Sequence, residues 1–190
     1  VRNAQAYDFG GGERFPVFLA SVLKNNELRP LVISRNPKLL AFANDSAIET
    51  KKGPWWSWQR WDSVYALLFP AYLIWQLLLF VWYVWLFLKQ KPVAVHIQSR
   101  DDFIAATFAA RVLKVKAIWT DHADLKHALQ NITVWYKNPV GKLLYIAGLY
   151  ADAITVVSKS EYGEISASLP KRSRLLKKVL VVHTTLTLGW

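Results

Sequence analysis

There is no cysteine anywhere in the 190 residues. That excludes disulfides, a thiolate metal site and a cysteine nucleophile, and it fits a cytoplasm-facing location. Acidic residues are scarce, with 13 Asp and Glu against 24 Lys and Arg and a formal net charge of +11. Such a balance asks for an anionic partner: a phospholipid surface, a nucleotide diphosphate or a nucleic acid. Nucleic acid fits least well, because no reading motif occurs and no aromatics interleave with basic residues on a strand face. No short charged-then-apolar leader opens the chain, and there is no internal repeat or low-complexity segment. The sequence starts at Val1 without methionine, inside a motif, and so reads as a fragment.

What is present in excess is apolarity, and it is local. From Val64 to Leu88 the chain carries no formal charge; Pro70 and Gln76 alone interrupt it, and Asp62 and Lys89 bound it. As a helix this run would be about 38 Å long, enough to cross the hydrocarbon layer of a bilayer. Trp55, Trp56, Trp58, Trp61, Trp75, Trp82 and Trp85 gather in or just before it, flanked by Lys51, Lys52, Arg60, Lys89 and Lys91. Hydropathy alone marks a transmembrane helix. A crossing, however, would put the strands ending near Thr50 and beginning at Val93 on opposite sides of the bilayer and break a shared sheet. A buried core helix should be amphipathic or much shorter. The expectation is therefore monotopic insertion by a long apolar helix or a helical hairpin kinked at Pro70. It would dip into one leaflet, with tryptophans at headgroup level and lysines outside.

Around the run, the elements alternate. A glycine-rich loop, Arg2 to Gly12, opens a helix from about Glu13 to Lys24 and has the character of a strand exit. Strands are expected at Leu31–Ser34, Ala47–Thr50, Val93–Gln98, Ala117–Thr120, Ala153–Val157 and Val179–His183, with a turn at Asn36-Pro37. Helices are expected at Lys38–Ala43, Asp101–Leu113, Val140–Tyr150 and from Ser158 or Ser160 to about Leu169. Asp121 to Asn131 reads as a polar loop. Strands alternating with helices imply an α/β fold: a Rossmann-like parallel sheet flanked by helices, with ligands at the carboxyl ends of the strands.

Five stretches carry a resemblance. DFGGGERF at Asp8 to Phe15 is similar to the "GGxE" loop in the amino-terminal domain of family-4 retaining glycosyltransferases of the GT-B fold. KPVAVHIQS at Lys91 to Ser99 resembles their "kPDvvHaHs" strand, WTDHADL at Trp119 to Leu125 their "tvHd" loop, and ADAITVVSKSE at Ala151 to Glu161 their "aD.vi.vS" segment. VLVVH at Val179 to His183 resembles the strand before their interdomain linker. Departures are Val93 and Gln98, which replace an aspartate and a histidine of the pattern, and Thr184 and Thr185, which replace its asparagine and glycine. The resemblance implies an amino-terminal, acceptor-side domain over residues 1–183, with residues 55–90 as a membrane-associating insertion and 184–190 as an atypical tail. The donor-binding second Rossmann domain would be absent.

By that resemblance His122 is the expected catalytic residue, an imidazole at a strand exit able to donate a hydrogen bond or relay a proton. Gly10 and Gly11 fall on the family's glycine pair, where a backbone can approach phosphate or acceptor, and Glu13 follows in the helix's first turn. Ser99, Arg100, Asp121 and Ser158 complete the expected donor- or acceptor-binding set. A metal held by Asp121, His122, Asp124 and His127 is disfavoured, because His122 and His127 are five apart and share no helix face. No cofactor is expected beyond the nucleotide-sugar substrate. His96, inside a strand, is expected to be a hydrogen-bonded core residue.

The implied function is half of a membrane-associated enzyme at the cytoplasmic face. It would move a sugar from a nucleotide diphosphate to a lipid-linked or envelope-glycan acceptor, and the fragment alone would be inactive. The alternatives are a non-catalytic membrane-binding module and a single-pass protein with small flanking domains.

Overall fold

The structure is a computed structural model; it describes Val1 and residues 11–54, 65–121, 125–130, 132, 137–170 and 173–182. Among these, strand and helix alternate as α1 (Gly11–Asn25), β1 (Leu31–Ser34), α2 (Pro37–Asp45), β2 (Glu49–Lys52), α3 (Tyr65–Gln90), β3 (Ala94–Ile97) and α4 (Arg100–Val112). There follow β4 (Lys116–Asp121), α5 (Leu125–Ala128), α6 (Pro139–Tyr150), β5 (Ala153–Val156), α7 (Lys159–Ser168) and β6 (Val179–Val181).

Local chemistry sets many of the boundaries. Asn36 caps α2, its Oδ1 accepting from the Lys38 and Leu39 amides, and Pro37 occupies the first turn, where no amide partner is needed. Asn138 and Pro139 repeat this arrangement at α6. Gly141 is required there, since a Cβ would lie 2.2 Å from the Ala128 carbonyl oxygen. At the end of α3, Lys91 adopts a left-handed φ of 46° and Pro92 stops the helix. The expected polar loop after β4 contains one short helix, α5, that no sequence period announces.

Every strand pairing among the described residues is parallel, as a Rossmann-like sheet requires, and these strands pair as β1-β2 and β3-β4-β5-β6. Val1 stands on the edge of β3 away from β4: its amino group donates to the His96 carbonyl, and its own carbonyl accepts from the Gln98 amide at 2.9 Å. Those two bonds are the pair that one residue makes with a parallel neighbouring strand.

The larger core lies between β3–β6 and the layer of α3, α4 and α6. Trp119 stacks on Phe103 with centroids 4.3 Å apart, and its Nε1 donates to Thr107 Oγ1 at 2.7 Å. A smaller core joins Val17 and Ala20 of α1 to Val32, Leu39, Ala43 and Ile48. Phe15 near the start of α1 approaches the His96 ring at 6.1 Å.

Of the two expected forms of the apolar run, the structure has the long helix and not the hairpin: Pro70 sits in its second turn, where the bond it forfeits, to the Ala66 carbonyl, is at the helix's start. It departs from expectation in being docked, from Tyr72 to Phe87, on the rest of the domain. Tyr72, Trp75, Gln76, Leu79, Tyr83, Leu86 and Phe87 recur three and four residues apart and are buried in the larger core. Each large side chain buried so contributes about 1.5–3 kcal/mol. The opposite stripe, including Ile74, Leu77, Leu78, Val81, Trp85 and Leu88, is exposed. A helix apolar all round hides which face is the core face, and so its periodicity does not announce the docking.

Candidate functional site

The carboxyl ends of β3, β4 and β5 meet at one edge, where an open parallel sheet binds ligands. At the exit of β3, Ser99 occupies the cap position of α4 and is buried; its hydroxyl makes no cap bond to the helix amides and acts instead on the Asp102 carboxyl. Arg100 opens α4 and is half-buried. At the exit of β4, Asp121 is buried and its Oδ2 accepts from the Leu125 amide at 2.9 Å, closing the loop that carries His122. After β5, Ser158 and Glu161 form a capping box: Ser158 Oγ accepts from the Glu161 amide and Glu161 Oε2 from the Val157 amide, both at 3.1 Å. The Ser158 hydroxyl thus serves the start of α7. Gly11 and Glu13 lie in the first turn of α1. Gly10 and His122 lie outside the described residues, as do Trp55, Trp56, Trp58 and Trp61.

The remaining tryptophans of the run divide. Trp75 is buried 5.7 Å from the Tyr72 ring and belongs to the core rather than to a lipid-facing belt; Trp82 is half-buried, and Trp85 faces outward. Among the described residues no three His, Asp or Glu side chains gather as a metal site.

His96 is hydrogen-bonded at both nitrogens. Gln98 Nε2 donates to Nδ1 at 3.0 Å, and Nε2 meets Thr120 Oγ1 at 2.6 Å. Thr120 Oγ1 lies 2.6 Å from Thr155 Oγ1, which donates to the Trp119 carbonyl at 3.0 Å. The neutral Nε2-protonated tautomer, assigned from this network, lets every donor in the row meet an acceptor from β3 to β5.

Sequence reasoning passed over a second polar group, on the other sheet face. Asp102 in the first turn of α4 is fully buried, and Tyr83 of α3 donates to its Oδ1 at 2.7 Å. Burial pushes the Asp102 carboxyl up to about 6, a rise that the Tyr83 hydrogen bond opposes and neighbouring Asp101 reinforces. Arg35, just past β1, feels the Asp102 charge; desolvation still holds its guanidinium below its ordinary value. The doubled aspartate after a strand exit was the visible signal. It reads equally well as an ordinary acidic first turn favoured by the helix dipole, and nothing in the sequence says that α3 seals it from water.

Comparison with known proteins gives the same architecture. The structure of a putative UDP-N-acetylglucosamine 2-epimerase from Listeria monocytogenes is similar over 88% of this chain and 40% of its own, with a TM-score of 0.53 and 11% sequence identity. At that identity the likeness is one of fold. The chain thus spans well under half the length of that protein and corresponds to the amino-terminal half of a GT-B fold. No curated protein matches it at a significant level. The family model described as Glycosyltransferase Family 4 matches residues 9–184. With nearly the whole chain matched, and with strand exits ordered as that fold requires, the chain belongs to glycosyltransferase family 4, a retaining family that uses nucleotide-sugar donors.

Proposed function

We propose that this domain is the acceptor-binding half of a glycosyltransferase working on the cytoplasmic face of a membrane, with a lipid-linked or envelope-glycan acceptor. The observation that carries the reading is the inverted polarity of α3. Its hydrogen-bonding side chains, Gln76 and Tyr83, turn inward to Asp101 and Asp102, while Ile74, Leu77, Leu78 and Val81 turn outward. A helix on a water-facing surface carries the reverse pattern. Because α3 is docked from Tyr72 to Phe87, it contacts lipid from one side, and the domain rests on one leaflet without crossing it.

In this role His122, Gly10, Gly11 and Glu13 meet the reacting groups, and Asp121 holds the loop of His122. Ser99 and Arg100 face the acceptor. In this family the donor-binding residues lie in the second Rossmann domain. The domain's contribution is positioning and charge stabilisation.

The test uses the full-length protein. His122→Ala should lower turnover on the order of 100-fold, the range for loss of a positioned proton-transfer group, with vesicle binding unchanged. Equal losses of both would point to misfolding. No transfer by the wild-type protein from nucleotide sugars to membrane lipid extracts would leave a non-catalytic membrane-binding module. Vesicle binding should also survive high salt, since screening removes the basic contribution and leaves the apolar one; complete release by salt would sink the insertion.

A further inference from the structure

Two lysines from distant parts of the chain converge on one outward-facing indole. Trp85 stands on the exposed stripe of α3 and is 50% exposed. Lys51, from β2, holds its Nζ 4.6 Å from the ring centroid, and Lys89, one helical turn beyond Trp85, holds its own at 5.6 Å. The two ammoniums are therefore no more than about 10 Å apart, about one Debye length at 0.1 M salt.

Neither ammonium meets a carboxylate among the described residues. The face of an indole attracts each cation but cannot neutralise it. Lys52 and Lys91, both exposed, lie next in sequence to β2's Lys51 and to the end of α3; against these four lysines stands exposed Glu49 at the start of β2, so the charge of these described residues is net positive. An anion completes this group.

The apolar surroundings decide what kind of anion. Val81 and Leu88, one turn to either side of Trp85, belong to the same exposed stripe, so apolar surface runs up to the lysines without a polar break. A free phosphate would gain nothing from that surface. A lipid would use both parts, with its phosphate at the lysines, its chains along the stripe, and the indole at the boundary where tryptophan partitions best.

Resting on the membrane reading above, we propose that Lys51, Trp85 and Lys89 form a binding site for the headgroup phosphate of an anionic phospholipid. The site fixes the depth of α3 in the leaflet. It also gives the domain a preference for anionic over zwitterionic membranes, separate from the apolar contact that holds it there.

The experiment is cosedimentation of the purified chain with two kinds of vesicle: phosphatidylcholine alone, and phosphatidylcholine with about one third phosphatidylglycerol. The variants are Lys51→Ala with Lys89→Ala, and, as a control for net charge, Lys159→Ala with Lys177→Ala. All are checked by thermal melting for an unchanged fold. The expected result is that the first pair loses about fivefold of the anionic preference per lysine. Its binding to phosphatidylcholine stays at the wild-type level, and the control pair loses much less. Equal anionic preference in the first pair and the wild type, or an equal loss in both pairs, overturns the site and leaves the membrane reading standing. Failure of the wild type to bind either vesicle overturns the membrane reading, and the site with it.

Discussion

Leu79 is completely buried, at 0% exposure, and Leu78, its neighbour on α3, is 51% exposed. The two residues are chemically identical and one position apart, yet one stands in the main core and the other on the surface. The same contrast runs along the helix. Its inward face carries hydrogen-bonding groups placed among apolar ones, with Gln76 donating to the Asp101 carbonyl at 2.9 Å and Tyr83 to Asp102. Its outward face is hydrocarbon down to Trp85. The lesson is that the inner face is specific and the outer face is generic. A buried polar pair fixes one register of α3 on α4, whereas a lipid-like surroundings needs no register.

The contrast is broken most sharply by shortening one leucine at a time. Leu79→Ala leaves a cavity under α3 and should cost about 2–5 kcal/mol of stability. Leu78→Ala, by the same chemistry, should stay within about 0.5 kcal/mol in aqueous buffer. Denaturant unfolding of both variants checks the pair. Equal costs would mean that both faces of α3 are packed in solution, as they would be in a self-associated form.

A smaller effect, with a sign set by pH, comes from Asp102. Its folded carboxyl titrates at about 6 against an ordinary 3.8, so the folded state holds its proton more tightly than the unfolded state does. Below pH 3.8 the group is protonated in both states and costs nothing. As pH rises through the window from 3.8 to about 6 stability falls, and above it the buried charge costs the fold about 3 kcal/mol. Asp102→Asn keeps an acceptor for Tyr83 and should flatten this part of the melting temperature's pH dependence. Tyr83→Phe removes a bond that favours the charged form, and should move the window upward. A profile unchanged by Asp102→Asn would show that water reaches the carboxylate and that α3 does not seal it.

Most of the framework was legible in the residues. Leu31–Ser34 appears as β1 with the bounds its apolar run implies, α1 falls within two residues of its expected limits at the end of a glycine run, and α4 and α6 fall within two residues of theirs, with Ser99 and with Asn138 and Pro139 at their starts. His96 was readable as a satisfied strand residue, though Thr120 and Thr155, which complete its row, were not, because cross-strand neighbours depend on register. The docked face of α3 was illegible for a different reason. Periodicity reports a boundary between oil and water, and this helix has protein on one side and apolar surface on the other, so no boundary is written into it. Gln76 was the one clue. In an apolar run, a lone glutamine reads as an interruption until Asp101 is seen beside it.

Gln76 also gives the finest test of whether the inner face is specific. Its Nε2 donates to the Tyr72 hydroxyl at 3.1 Å and to the Asp101 carbonyl at 2.9 Å, but its buried Oε1 has no partner. The two bonds made are each worth about 1 kcal/mol net, and the unmet oxygen costs about 1–3 kcal/mol, so the residue is close to neutral for stability. Gln76→Leu should therefore shift the unfolding free energy by less than about 1 kcal/mol, far less than Leu79→Ala. Its effect should lie in register instead: with the glutamine gone, hydrogen exchange at the first turn of α4 should quicken while the helix stays helical by circular dichroism. A large loss of stability would mean that Oε1 is satisfied by a buried water. Unchanged exchange would mean that the leucine and aromatic packing alone holds α3 in place, and that the polar inner face adds no specificity.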